Sequence, residues 1–327
     1  MAIILITGAA GFIGHHLARA SLEAGDTVIG WDNRDPYYDP ATKQARIDQL
    51  QADHPDRFHF RPVDIRDADA IRDGWTAAEA RARRPIDAVA HLAARPGVRP
   101  SLEDPAGVMA TNVMGTQHLL EETRARACRQ FVFGSSSSVY GVNPRLPWSE
   151  NDPGLKPISP YAASKVCGEL LGHTYAHLHG IRFIALRFFT VYGPGQRPDL
   201  AIAKFTRMIR SGDAIPVYGD GATERDYTYI DDIVAGIRAA LAYQETQYEI
   251  INLGNDRTVR LAAMIEALEH ALGRQAVIDR QPDQPGDVPR TWADIAKARH
   301  LLAYAPETDL PTGLQAYIAS LPASDDR

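Results

Sequence analysis

Along this 327-residue chain, short runs rich in apolar residues alternate with longer stretches of helical period. Ala2 to Thr7, Thr27 to Asp32, Phe58 to Val63, Ile86 to Leu92, Gln130 to Gly134 and Ile181 to Phe188 read as strands. The first of them, Ala2 to Thr7, is β-branched and apolar and bounded by glycine, so both of its faces must be covered, as in a parallel sheet. His15 to Ala24, Val108 to Ala127 and the segment opened by Tyr161 carry the intervening helical patterns. The pattern predicts an α/β fold with a doubly wound parallel sheet of Rossmann type. Beyond Thr190 the punctuation changes, with Gly193-Pro194-Gly195 and Gly219-Asp220-Gly221 breaking the chain into mixed pieces. A smaller mixed α/β lobe is expected there. Glu249 to Leu253 looks like a last strand of the main sheet. We therefore expect residues 1–189, with a returning segment near 226–258, to form one lobe and 190–327 an interleaved second. The tail from Ser320 is polar and is expected to fray.

Composition narrows the class. A hydrophobic share of 45% and a charged share of 23% suit a globular chain. A formal net charge of -6 argues against a nucleic-acid partner. The two cysteines, Cys128 and Cys167, have neither metal spacing nor the density of a disulfide framework. A reducing cytoplasm is the expected compartment. Ile3-Ile4-Leu5-Ile6 is too short for a signal core, and no run is long enough to span a bilayer.

The first strand runs into Gly8-Ala9-Ala10-Gly11-Phe12-Ile13-Gly14, and the second ends at Asp32-Asn33. Strand, glycine turn, helix, strand and acid form the dinucleotide-binding unit. Gly8, Gly11 and Gly14 allow a tight turn and close approach of a pyrophosphate. The amides of Phe12 and Ile13 at the helix start would face the phosphates. Asp32 would accept from the adenosine ribose hydroxyls and repel a 2′-phosphate, which favours NAD over NADP. Asp64, before Ile65, is a candidate for the adenine amino group. Leu92-Ala93-Ala94 would let a flat cofactor lie against the backbone.

Tyr161 and Lys165 fall four apart at the start of a helix, on one face. A lone pair of this spacing also suits a solvated helix face. Beside a cofactor, however, a cation within a few ångströms would favour the phenolate, which is a base. Ser135 to Ser138 end the strand beginning at Gln130, where α/β sheets put their sites. His173 and His177 could bind a metal by spacing, yet no third ligand is evident, and a solvated or interface role is expected.

These motifs, together with His91-Leu92-Ala93-Ala94, Leu186 to Asp199, Arg225-Asp226-Tyr227 and Gln284-Pro285-Gly286-Asp287-Val288, resemble the extended short-chain dehydrogenases that act on nucleotide sugars. Within that family the chain is most similar to bacterial UDP-glucuronate 4-epimerases. The resemblance implies an NAD-dependent isomerase with Tyr161 as base, Lys165 lowering its pKa and holding the nicotinamide ribose, and Ser136 bonding the sugar 4-hydroxyl. It implies that Ser137 and Ser138 border the substrate and that Asn33 and Asn112 shape the cofactor site. A 4-keto uronic acid can lose carbon dioxide, so its carboxylate must be clamped; by resemblance Arg197 is the clamp, supported by Thr190. Arg225 would pair with the diphosphate, Asp287 would lie near the uridine ribose, and Lys204 and Tyr218 would border the nucleotide. Related decarboxylases carry an acid where this chain has Ser138, which favours epimerisation. Gln284 replaces an arginine of the UDP-galactose epimerases, leaving a second cationic diphosphate contact open. The resemblance also implies a homodimer. The alternatives kept are an uncharged UDP-sugar as substrate, decarboxylation of UDP-glucuronate, and an NAD-binding sensor without turnover.

Overall fold

The computed structural model describes residues 1–282 and 288–322. The chain opens β1 (Ile3–Thr7), α1 (Phe12–Glu23), β2 (Thr27–Trp31), α2 (Pro40–Asp53), β3 (Phe58–Arg61), α3 (Ala68–Ala82) and β4 (Ala88–His91). It continues through α4 (Val98–Glu103), α5 (Pro105–Met109), a π-helical turn (Ala110–Met114), α6 (Gly115–Ala125), β5 (Gln130–Ser136), a 3₁₀ turn (Ser137–Tyr140), α7 (Pro160–His179) and β6 (Arg182–Phe188). The remainder holds β7 (Thr190–Tyr192), α8 (Ala201–Ser211), β8 (Ala214–Tyr218), β9 (Glu224–Arg225), β10 (Tyr227–Tyr229), α9 (Ile230–Ala242) and β11 (Tyr248–Leu253). Last come β12 (Val259–Arg260), α10 (Leu261–Leu272), β13 (Val277–Gln281), α11 (Ala296–Leu302) and α12 (Leu310–Ala319).

Seven strands form one sheet in the order β11-β6-β5-β4-β1-β2-β3, every neighbouring pair parallel. This is the doubly wound sheet that the apolar runs predict. Alternate residues of β1 enter different cores: Ile4 and Ile6 pack with α1 and the returning α9 on one face, Ile3 and Leu5 with residues of α3, α6 and α7 on the other. Burial on both faces is why the strand is apolar up to its last residue, Thr7. The order reverses between β1 and β4, and a cleft opens at that point, at the carboxyl ends of the strands. Thr7 and His91, the last residues of those two strands, are tied there by a 2.7 Å bond between the Thr7 hydroxyl and His91 Nδ1. Burial lowers the His91 pKa to about 3, so the ring is neutral.

The continuous helix expected over Val108 to Ala127 is instead broken by the π turn. The extra residue brings Asn112 between two segments of the chain. Its Oδ1 accepts from Arg95 N at 2.8 Å, while its Nδ2 donates to Arg95 O at 3.1 Å and Ser164 Oγ at 3.0 Å. Such bulges are common beside functional sites. Here one side chain joins the loop after β4 to α7.

Candidate functional site

The first cavity lies over the switch point. Gly8, at φ +75°, turns the chain so closely past β4 that a Cβ there would stand 2.8 Å from Ala93 N, and a Cβ at Gly14 would stand 2.1 Å from Gly8 O. Helix α1 then begins with no side-chain cap. Its first amides, at Phe12, Ile13 and Gly14, border the cavity and can serve an anion. Asp32, almost fully buried, accepts from Ala10 N at 3.2 Å and Arg34 N at 2.7 Å. Ile65, Leu92, Ala93 and Ala94 supply an apolar wall. A glycine cradle, a bare helix start and a buried acid fit a dinucleotide, and the acid has acceptor capacity left for ribose hydroxyls.

Two expected cofactor residues stand outside this cavity. Asp64 pairs with Arg66 at 2.6 Å and accepts from Asn33, and these bonds hold its pKa down at about 2. Asn33 itself borders the cavity. Asn112 acts one layer behind, on Arg95 and Ser164. The motifs missed Lys43, whose buried ammonium lies 3.7 Å from Asp32 and 5.0 Å from the Tyr38 ring centroid. A lysine eleven residues past the acid carried no signal until α2 folded back over β2.

Helix α7 carries Tyr161 and Lys165, both of which line the cavity. Ser159 caps it, accepting from Ala162 N at 3.1 Å, and Pro160 occupies its first turn. Gly168 and Gly172 let it lie directly on the sheet: a Cβ at either would come within 2.3 Å of the Phe133 or Phe183 ring. One turn beyond Lys165, Glu169 is buried, with Oε1 accepting from Ser135 Oγ at 2.6 Å and Arg187 pairing with Oε2 at 2.8 Å. An arginine inside an apolar strand needs such a partner, and that was its legible signal. The Glu169 contacts fix α7 to the ends of β5 and β6. As a result Lys165 Nζ reaches Gly134 O at 2.6 Å and stands 5.8 Å from the Tyr161 ring centroid.

Burial pushes the Tyr161 pKa up; the Ser136 hydrogen bond and then the Arg197 charge pull it down. Lys165 is pushed down to about 8 by burial, opposed by Glu169. Burial thus outweighs Ser136 and Arg197 at Tyr161, and the ammonium of Lys165 is directed towards the end of β5. Ser137 and Ser138 lie in the 3₁₀ turn and border neither cavity; Ser138 donates its amide to Ser136 Oγ at 3.2 Å and fixes that hydroxyl.

A second cavity adjoins the first. Thr190, Lys204, Tyr218 and Arg225 line it with Arg99, Gln196 and Asp199. Arg197 instead lines the first cavity, near Tyr161, and grips Asp199. Asp287 and Gln284 lie outside the described residues. His173 and His177 stack at 6.5 Å, with His173 edge-on to Tyr248.

Residues 4–254 match the NAD dependent epimerase/dehydratase family. The chain belongs to that family. A UDP-glucuronate 4-epimerase of Thermodesulfobacterium geofontis is 40% identical over 96% of this chain and 94% of its own length. The crystal structure of a UDP-glucuronic acid 4-epimerase from Bacillus cereus, in complex with UDP-glucuronic acid and NAD, is 36% identical with a TM-score of 0.86, covering 97% of this chain and 98% of that one. A UDP-glucose 4-epimerase from Thermotoga maritima, solved with UDP-glucose, is similar in shape (TM-score 0.87, 97% of this chain and 98% of that one) at 28% identity. Proteins solved with a charged and with an uncharged UDP-sugar therefore share this fold.

Proposed function

We propose that this protein interconverts UDP-glucuronate and UDP-galacturonate by NAD-dependent 4-epimerisation. The observation that carries the reading is that Tyr161, Lys165 and Arg197 line one cofactor-sized cavity, which adjoins a second bordered by Lys204 and Arg225. A cationic side chain beside the base suits a uronic acid. Bound NAD supplies the acceptor, and then the donor, of the hydride at C4. Tyr161 as phenolate takes the proton of the 4-hydroxyl while Ser136 holds that oxygen. Lys165 holds the nicotinamide ribose. After the 4-keto sugar turns over, Tyr161 returns the proton to the oxygen on the other face, so no net oxidation occurs. Arg197, with Thr190, keeps the C5 carboxylate out of line with the carbonyl π system. Arg225, Lys204 and Tyr218 serve the diphosphate and nucleoside. Residues 1–189, with the return near 226–258, form the cofactor lobe and 190–327 the sugar-nucleotide lobe.

The test is NMR of the purified holoenzyme with UDP-glucuronate and no added reductant. Growth of UDP-galacturonate without a UDP-pentose is expected; a pentose as main product would sink the reading. One observation favours a second substrate class: Asp199 already neutralises Arg197. Turnover of UDP-glucose that is indifferent to Arg197→Leu would decide for it. We further propose a cytoplasmic location and a homodimer, the dimer supported by the exposed apolar side chains of α7 and its neighbours. No helix among the described residues is long and apolar enough to cross a membrane.

A further inference from the structure

Arg197 and Asp199 straddle the boundary between the cavities, the arginine lining the first and the aspartate the second. Asp199 accepts twice, from Nε to Oδ1 at 3.0 Å and from Nη2 to Oδ2 at 3.0 Å. A guanidinium has two edges that can grip a carboxylate side by side. Asp199 takes the Nε–Nη2 edge. Both Nη1 protons and the outer Nη2 proton are left over, and Nη1 donates no hydrogen bond among the described residues. The guanidinium is also supported from its face, with its carbon 5.7 Å from the Tyr37 ring centroid. Tyr37 closes the set by donating its hydroxyl to Asp199 Oδ2 at 3.4 Å. It belongs to the loop between β2 and α2 that borders the cofactor cavity, and that loop is tied to α2 by Lys43 Nζ donating to Asp35 O at 3.0 Å.

An ordinary exposed ion pair would contribute little and could point anywhere. This one is bidentate, lies over an aromatic ring, and leaves one edge of the guanidinium open in the cavity that Tyr161 also lines. We propose that Asp199 and Tyr37 are positioning residues that aim the open edge of Arg197 at the substrate carboxylate, and that this aim decides whether the 4-keto sugar returns as an epimer or loses carbon dioxide. The proposal rests on the epimerase reading and deepens it. Decarboxylation breaks the C5–carboxylate bond, releases carbon dioxide and passes the electron pair towards the C4 carbonyl as an enolate, which takes a proton from solvent at C5. The product is a 4-keto pentose. The step requires the breaking bond to align with the carbonyl π system. A carboxylate held by two donors on a fixed edge cannot swing there, whereas one held by a pivoting guanidinium can.

The experiment compares holoenzymes of wild type, Asp199→Asn, Asp199→Glu and Tyr37→Leu on UDP-glucuronate, reading UDP-galacturonate against decarboxylated sugar nucleotide by NMR. Asparagine keeps the shape but turns one acceptor into a donor facing the guanidinium. We expect its decarboxylated fraction to rise about tenfold, equivalent to about 1.4 kcal/mol between the competing barriers. The KM for UDP-glucuronate should rise more than kcat falls, and Asp199→Glu should recover most of the wild-type partition. Tyr37→Leu leaves the ion pair intact and removes the platform, and should shift the partition in the same direction should the asparagine variant fail to fold. An unchanged partition in Asp199→Asn or, if that variant does not fold, in Tyr37→Leu would overturn this proposal alone. Absence of UDP-galacturonate from the wild-type reaction would overturn the epimerase reading and this proposal with it.

Discussion

At the scale of single residues, Tyr161 is tuned by opposing forces. Burial favours the phenol; the Ser136 hydrogen bond and the Arg197 charge favour the phenolate. Removing the phenol in Tyr161→Phe should lower kcat by about 10² to 10⁴, the usual share of a positioned acid or base, with UDP-sugar affinity changed little in calorimetry. Ser136→Ala removes an interaction that lowers the pKa, so the pKa of Tyr161 must rise. At a given pH less phenolate remains, and the ascending limb of the kcat/KM profile should move to higher pH. A limb that stays in place would remove Ser136 from the tuning of the base.

At the scale of elements, α7 is the part that the rest of the site is hung on. Its cap fixes where it starts, Gly168 and Gly172 fix how close it lies, and Glu169 fixes its rotation against β5 and β6. The Glu169–Arg187 pair is almost wholly buried. Truncating one member leaves an uncompensated charge, which typically costs about 3–5 kcal/mol. Glu169→Ala should therefore lower the urea midpoint strongly at an unchanged slope. Glu169→Leu combined with Arg187→Leu should cost less than the two single changes together. Equal and additive losses would mean that the pair does not act as a unit. The π turn is the other element-scale device, since it gives Asn112 its reach to Arg95 and Ser164.

At the scale of the molecule, the sheet covers one side of α7, and α4, α5 and the π turn pack beside it. Leu170 and Leu178, two turns apart, remain 63% and 64% exposed, and Leu102, Met109 and Met114 project from the neighbouring segments. Such a patch is expected to meet a second copy. Sedimentation should give twice 35.9 kDa, and Leu170→Glu with Leu178→Glu should reduce it to one chain; a wild-type monomer would exclude the dimer. The sheet, its winding, the glycine turn with Asp32 and the Tyr161–Lys165 spacing were legible in the sequence because each is a local pattern: an apolar run, a turn chemistry, a helical repeat. The packing of α2 that brings Lys43 against Asp32, the withdrawal of Asp64 into a pair with Arg66, and the turning of Lys165 towards Gly134 were not. Those depend on how segments far apart in the chain pack, and no local period encodes that. The sequence by itself determined most of the elements that form, and that a tyrosine and lysine one helical turn apart, a glycine turn and an acid after the second strand are present. Only the tertiary structure decided which groups share a cavity and which edge of Arg197 stays open, because those quantities are distances between residues brought together by packing.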